Sequence, residues 1–300
     1  ETKEAKVILD DSGEVLDIAL RKRGTGEKLI EEFMLIANET VASAMTWLDV
    51  PFIYRVHEEP KEDKISKFIQ ILNNFNYEFK VKGKTSKAMS KALQEVLIDL
   101  DSKDDDIRKT IISNTLLRSM MKAKYLETNL GHYGLASECY THFTSPIRRY
   151  PDLLVHRLMK EFLFNKPQTS YENAYDYFTK KVIDTGITSS AREKTAENLE
   201  RNTVDMKKCQ YMERFIGKTF TGMISSVVNW GLYVTLDNTV EGLVRFDDLP
   251  YDYYEVDETA GIIYGKKKNN VYRLGDIVKV RLEDINSEKH QTSFRLLGKV

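Results

Sequence analysis

Gly131-His132-Tyr133-Gly134-Leu135, followed by Tyr140-Thr141-His142-Phe143-Thr144-Ser145-Pro146-Ile147-Arg148-Arg149-Tyr150-Pro151-Asp152, is the stretch from which the rest of the chain is read. From Tyr133 to Phe143 the mix of aromatic, Thr and apolar residues predicts a strand. Pro146 ends it, because proline has no N–H for a ladder. Arg148 and Arg149 then fall on a turn. Pro151 and Asp152 suit the first turn of a helix, where a missing N–H costs nothing and a carboxylate meets the positive helix end. That helix repeats apolar residues at four-residue spacing: Leu154, Leu158, Phe162 and Val155, Met159, Leu163. Two guanidinium groups at a strand-to-helix junction, beside hydroxyls, suit a phosphate. The same arginines can equally pair with surface carboxylates.

Thr144 to Asp152, preceded by Gly131 to Leu135, resembles the signature of the ribonuclease II / ribonuclease R family, on its bacterial ribonuclease R side. The resemblance implies a processive, Mg²⁺-dependent 3′→5′ hydrolytic exoribonuclease that releases nucleoside 5′-monophosphates. It implies that Arg148 holds the scissile phosphate and stabilises the charge building on it, with Arg149 in support. The family's Mg²⁺ ions are held by closely spaced aspartates. The densest acidic run here, Asp104-Asp105-Asp106, sits in a turn between helices without the family's surrounding motif. The Mg²⁺ ligands are therefore expected upstream, and Glu1 to Lys6 resembles the segment just past one of the family's base-clamping aromatics. The expectation is an α+β chain: a helix-rich C-terminal part of the RNB catalytic domain over 1–215, then a five-stranded OB barrel over 216–300. Single-stranded RNA is the expected partner, together with the missing N-terminal half of the catalytic domain. The chain alone is expected to bind RNA without hydrolysing it.

Composition is consistent with a local rather than a uniform nucleic-acid surface. Charged residues make up 30% and hydrophobic ones 41%, and the formal net charge is −1. RNA contacts must then be confined to a lined channel or a patch. Cys139 and Cys209 lack metal-ligand spacing and read as buried thiols. No signal peptide or bilayer-length apolar run is present, so cytoplasm and no membrane are the expectation.

Residues 5–10 and 14–20 flank Asp11-Ser12-Gly13 and predict a hairpin. Thr25 can cap a helix running to about Trp47. This helix is apolar nearly all round, which predicts burial. Glu31, Glu32 and Asn38 stand out on it, Glu31 and Asn38 sharing a face. A buried carboxylate needs a partner, and Arg55 or Arg118 would serve. The stretch also resembles one in which a family glutamate lies near the ribose 2′-hydroxyl, a contact that tells RNA from DNA; either Glu31 or Glu32 fits. Phe52 to His57 reads as a strand, with His57 a hydrogen-bonded structural residue. Helices are expected over 61–75, 86–99, 105–124 and 171–185. Ser190 with Glu193 suggests a capping box starting a further helix to about Phe215. Glu193, Glu197 and Glu200 line one side of it, either as a solvated stripe balanced by Arg192, Lys194 and Arg201 or, by resemblance, with Glu200 near the 3′-terminal nucleotide.

From Gly217 the pattern changes to short alternating runs at 220–224, 231–236, 241–244, 277–282 and 291–294, which suggest a small barrel. Gly217 to Leu249 resembles the RNA-binding barrel of ribosomal-protein type. Leu232, Val234 and Leu236 alternate inward, leaving Tyr233 outward, with Trp230 just before. Exposed aromatics stack on any base, though both rings can also merely cover barrel ends. Lys279 and Arg281 give a basic strand face for phosphates, and Lys266-Lys267-Lys268 adds charge. Arg245 stands where the module often carries histidine and can still stack. Two other classes remain: a non-catalytic RNA-binding scaffold, and a nuclease acting on DNA.

Overall fold

The computed structural model describes residues 4–300 except 76, 78, 82, 84, 103–105, 165–169, 259 and 268. Asp104, Asp105, Lys268 and Glu1 to Lys3 lie outside the described residues. Strands β1 (Ala5–Leu9) and β2 (Val15–Leu20) form the expected antiparallel hairpin. Asp10 closes its turn, one carboxylate oxygen accepting from Ser12 N and Glu14 N, both at 2.9 Å.

Helix α1 runs Thr25–Trp47, but the cap is Gly24, whose N–H donates to Glu27 at 2.7 Å. Its burial differs from the expectation. Only Asn38, Val41, Ala42 and Met45 are buried, whereas Leu29, Ile30, Phe33 and Ile36 on the first half are exposed. Met34 and Leu35 are only half-buried, so a nearly all-round apolar pattern does not translate into all-round burial. Strand β3 (Tyr54–Val56) pairs antiparallel with β4 (Lys124–Leu126). Between them, α2 (Glu62–Asn74), α3 (Ser86–Ser102) and α4 (Asp106–Ser119) pack around Phe68, Leu72, Leu93 and Ile112. The expected helix to residue 124 stops at Ser119; 120–123 are irregular and β4 begins at Lys124.

Helix α5 spans Tyr150–Met159, with Pro151 and Asp152 in its first turn as the sequence requires. Helix α6 then runs unbroken over Tyr171–Glu213. The break expected near Ser190 is absent because the serine hydroxyl bonds back to Gly186 O at 2.8 Å and accepts from Tyr125 N at 2.9 Å. A serine so employed sits inside a helix rather than starting one. Gly186 is needed there, since a Cβ would come 3.0 Å from Tyr125 O.

Strands β5 (Thr219–Val228), β6 (Gly231–Leu236) and β7 (Glu241–Arg245) follow. A small antiparallel sheet, β8 (Tyr254–Asp257), β9 (Ile262–Gly265) and β10 (Val271–Arg273), was not foreseen. Strands β11 (Ile277–Asn286) and β12 (Gln291–Lys299) complete a closed barrel in the order β11-β12-β7-β6-β5. Its core of Ile224, Leu232, Val234, Val280 and Phe294 also takes in Met212 of α6 and Val15 and Ile18 of β2. The hairpin and the end of α6 are thus packed onto the barrel. Among the described residues no helix is long and apolar enough to cross a membrane.

Candidate nucleic-acid interface

Residues 140–143 are not the strand expected. Tyr133–Leu135 is a short 3-10 turn, and the following segment is held irregularly by side chains as much as by backbone. Tyr140 O accepts from Arg55 N at 2.9 Å, and Thr141 Oγ1 donates to Ile53 O at 2.7 Å. Buried Asn38 donates to Tyr140 OH at 2.9 Å and accepts from Phe143 N at 3.0 Å. A side-chain amide on α1 therefore does what a neighbouring strand would have done.

The turn that follows is fixed from beneath. Ser145 O accepts from Arg149 N at 3.0 Å, and Ser145 N donates to Asp152 Oδ2 at 2.8 Å. Arg149 Nη2 reaches the same oxygen at 2.7 Å, and Asp152 is fully buried. Arg149 thus points inward as part of the support. Arg148, next to it, is exposed, and no ion pair among the described residues engages its guanidinium. Arg149 Nε and Asp152 Oδ1 are buried without a partner.

Behind the turn lies a second layer. Arg55 pairs with Glu193 of α6 at 2.5 Å and stands 4.7 Å over the Tyr125 ring. Tyr125 OH bonds His142 Nδ1 at 2.8 Å. Burial, then the charges of Arg149 and Arg55, push the His142 imidazole down to about 2. Burial likewise brings His132 down to about 4. Both rings are neutral at ordinary pH, so the positive charge near the turn belongs to the arginines. His57 is structural, accepting from Gly134 N at 3.0 Å and bonding Met121 O at 2.7 Å.

The other expected site residues are spread out. Glu31 is half-exposed and pairs with Arg23 at 3.7 Å, not with Arg55 or Arg118; Glu32 is exposed. The acidic stripe on α6 is not simply solvated: Glu193 is taken by Arg55, and Glu197 by Lys122 at 3.2 Å. Glu200 lines a cavity of about 980 Å³ where α4 and α6 face β5 and β6, and Arg148 is not among its lining residues. On the barrel, Trp230 is exposed, and exposed Arg245 pairs in register with the adjacent Gly231. Tyr233 is half-buried, turned toward Lys208 and Cys209 of α6 in a small cavity. Lys279 is exposed, but Arg281 is spent on Glu283 at 2.6 Å, which also takes Arg295 at 3.2 Å. Sequence reasoning missed Asp152 as the anchor and the Arg55–Glu193 pair; the first was visible only as a helix-start acid, the second not at all.

Among the described residues no three His, Cys, Asp or Glu are grouped to hold a metal. The described side chains do not fit a Mg²⁺ centre.

Both parts of the chain are similar to known families. Residues 1–165 match the RNB domain, and residues 213–296 match the S1 RNA binding domain. The chain belongs to the RNB family of ribonucleases II and R. It is 41% identical over 298 residues to ribonuclease R of Thermotoga maritima, covering 99% of this chain and 41% of that protein. It superposes on Mycoplasma genitalium RNase R, both apo and bound to ribose-methylated single-stranded RNA, with TM-score 0.89, 31% identity, and coverage of 99% of this chain and 46% of the other. Yeast Ssd1, a pseudonuclease, is similar at TM-score 0.59 and 25% identity, covering 81% of this chain and 29% of Ssd1. The chain spans about two fifths of the length of the curated relatives it matches.

Proposed function

We infer that this chain is the RNA-holding part of a 3′→5′ hydrolytic exoribonuclease acting on single-stranded RNA in the cytoplasm. The observation that carries this reading is Arg148: exposed, and in no ion pair among the described residues, on a turn whose anchor, Asp152, is fully buried. The turn beneath it is fixed, and no carboxylate among the described residues has to be displaced before the guanidinium meets a phosphate and stabilises the charge building on it. Arg149 acts through the scaffold. The barrel, read as an OB fold, delivers the strand with Trp230, Arg245 and Lys279 as exposed contacts, while Tyr233 and Arg281 contribute less. Glu31, Glu32 and Glu200 would meet sugar and base donors along the path. The Mg²⁺ that activates water is supplied by aspartates outside this chain, so the chain by itself binds RNA and releases no mononucleotide.

The test is Arg148→Ala in the full-length parent. Turnover falls on the order of 10²–10³-fold while RNA affinity barely moves. Equal losses of affinity and rate, or steady release of mononucleotides by the purified chain alone, overturn the reading. The similarity to a pseudonuclease supports a second reading, a non-catalytic RNA-binding scaffold. A full-length parent with tight RNA binding and no turnover in Mg²⁺ selects it.

A further inference from the structure

The segment joining β7 to β11 carries aromatic rings that neither the barrel core nor the β6 face uses. Tyr251 is 75% exposed and Tyr253 is 57% exposed. The backbone at Tyr253 is nevertheless fixed. Asp252 Oδ1 accepts from Tyr253 N at 2.7 Å and from Lys267 N at 2.8 Å, and Tyr253 O accepts from Lys266 N at 2.9 Å. The two loops close this tightly only with glycine at 265, where a Cβ would come 2.1 Å from the Asp252 carboxylate. Large rings left in water on a rigid frame are the mark of a contact surface prepared in advance.

The surface is shaped as well as exposed. Phe246 and Tyr254 stand nearly parallel, 12° apart with centroids at 6.1 Å. With Asp247, Tyr251, Asp252 and Tyr253 they line an open cavity of about 340 Å³. Lys267 Nζ lies 4.4 Å from the Tyr253 ring centroid, and Lys266 pairs with Glu255. Asp248 is held by Arg295 at 3.3 Å, whereas no ion pair among the described residues engages exposed Asp247. Asn229 N donates to Glu258 Oε1 at 3.2 Å, which ties the Trp230 turn to the end of β8.

Rings ask for a flat π-ligand. Two carboxylates in the lining repel phosphate and accept from N–H donors, so a base enters and its backbone stays outside by the lysines. The two oxygens of one carboxylate match two adjacent donors. Guanine offers that pair, N1–H beside the 2-amino group, and the other RNA bases do not. We propose that this cavity is a subsite for one unpaired guanine of an RNA strand, stacked on Tyr251 and Tyr253 and read by Asp247. The proposal rests on the RNA-binding reading above.

The test uses the 300-residue chain and fluorescence anisotropy with labelled single-stranded oligonucleotides that differ at one base: guanine, inosine (which lacks the 2-amino group) or uracil. Guanine binds about tenfold tighter than uracil, with inosine between them. Asp247→Asn removes the guanine–inosine difference, and Tyr251→Ala weakens the guanine strand about tenfold with an unchanged circular dichroism spectrum. Trp230→Ala weakens all strands alike. Equal affinity for all three strands, untouched by Tyr251→Ala, overturns the subsite and leaves the RNA-binding reading standing. Free GMP separates the converse case: GMP binding lost in Asp247→Asn, by a chain that ignores every strand, keeps the guanine pocket and removes the strand. A proline-rich peptide that binds in place of any nucleotide, and is lost with Tyr251→Ala, assigns the groove to polyproline recognition and overturns the proposal.

Discussion

The Ser145–Arg149 turn and strand β11 each carry a pair of cations, and the fold treats the two pairs differently. In the turn, one arginine is sacrificed: Arg149 goes down onto buried Asp152, and its neighbour Arg148 is left outside on a fixed base. On β11, Arg281 lies along the barrel surface on Glu283, shared with Arg295, and only Lys279 remains exposed. The first arrangement presents a charge that no carboxylate among the described residues pairs with. The second neutralises most of its own. The pairs differ in type and spacing, two adjacent arginines against a lysine and an arginine two apart. They also differ in the nearest carboxylate: Asp152 lies buried beneath the turn, whereas Glu283 lies partly exposed on the barrel.

The largest effect should come from removing the anchor. Asp152→Ala leaves Arg149 buried without its partner, and unfolding in urea should show a loss of about 3–5 kcal/mol. Arg148→Ala in the same assay should shift stability by less than about 0.5 kcal/mol, because its side chain is solvated. A loss from Arg148→Ala as large as that from Asp152→Ala would erase the contrast.

Acid should act on the layer behind the turn. His142 and His132 stay neutral in the fold down to about 2 and about 4, while the unfolded chain takes up protons below about 6.5. The unfolded state then binds more protons, so stability rises with pH in this window. The contribution is complete above about pH 6.5 and is lost as the pH falls, by about 2 kcal/mol for each ring at pH 5. Thermal unfolding of His142→Gln should be less sensitive to acid than that of the parent chain.

The barrel gives the smallest effect. Lys279→Ala should lower the slope of log affinity against log salt by about one for single-stranded RNA, and Arg281→Ala by clearly less. Equal slopes would mean that Glu283 releases Arg281 when RNA arrives.

Much of this was legible before any coordinates. The hairpin, the start of α5 at Pro151 and Asp152, and the alternating barrel strands each follow from local rules that tertiary contacts did not override. What could not be read depended on partners far along the chain. Asn38 replaces a strand for Tyr140 and Phe143, which no spacing announces. Ser190 looks like a helix start and is instead satisfied inside α6 by Gly186 and Tyr125. The exposed half of α1 is apolar on most sides, and periodicity says nothing about what, if anything, lies against it. Of the candidate site, Arg148 was legible from its motif, whereas the inward turn of Arg149 and the loss of Arg281 to Glu283 required the fold.

Helix α6 touches both ends of the proposed path: Glu193 holds Arg55 behind the arginine turn, and Met212 sits in the barrel core. Nineteen residues of unbroken helix between them measure about 28 Å at 1.5 Å per residue. The helix is therefore a ruler. Oligonucleotides too short to reach from one mark to the other gain nothing from holding both, and tightness should climb in a step, not a slope, once a strand is long enough to span the gap.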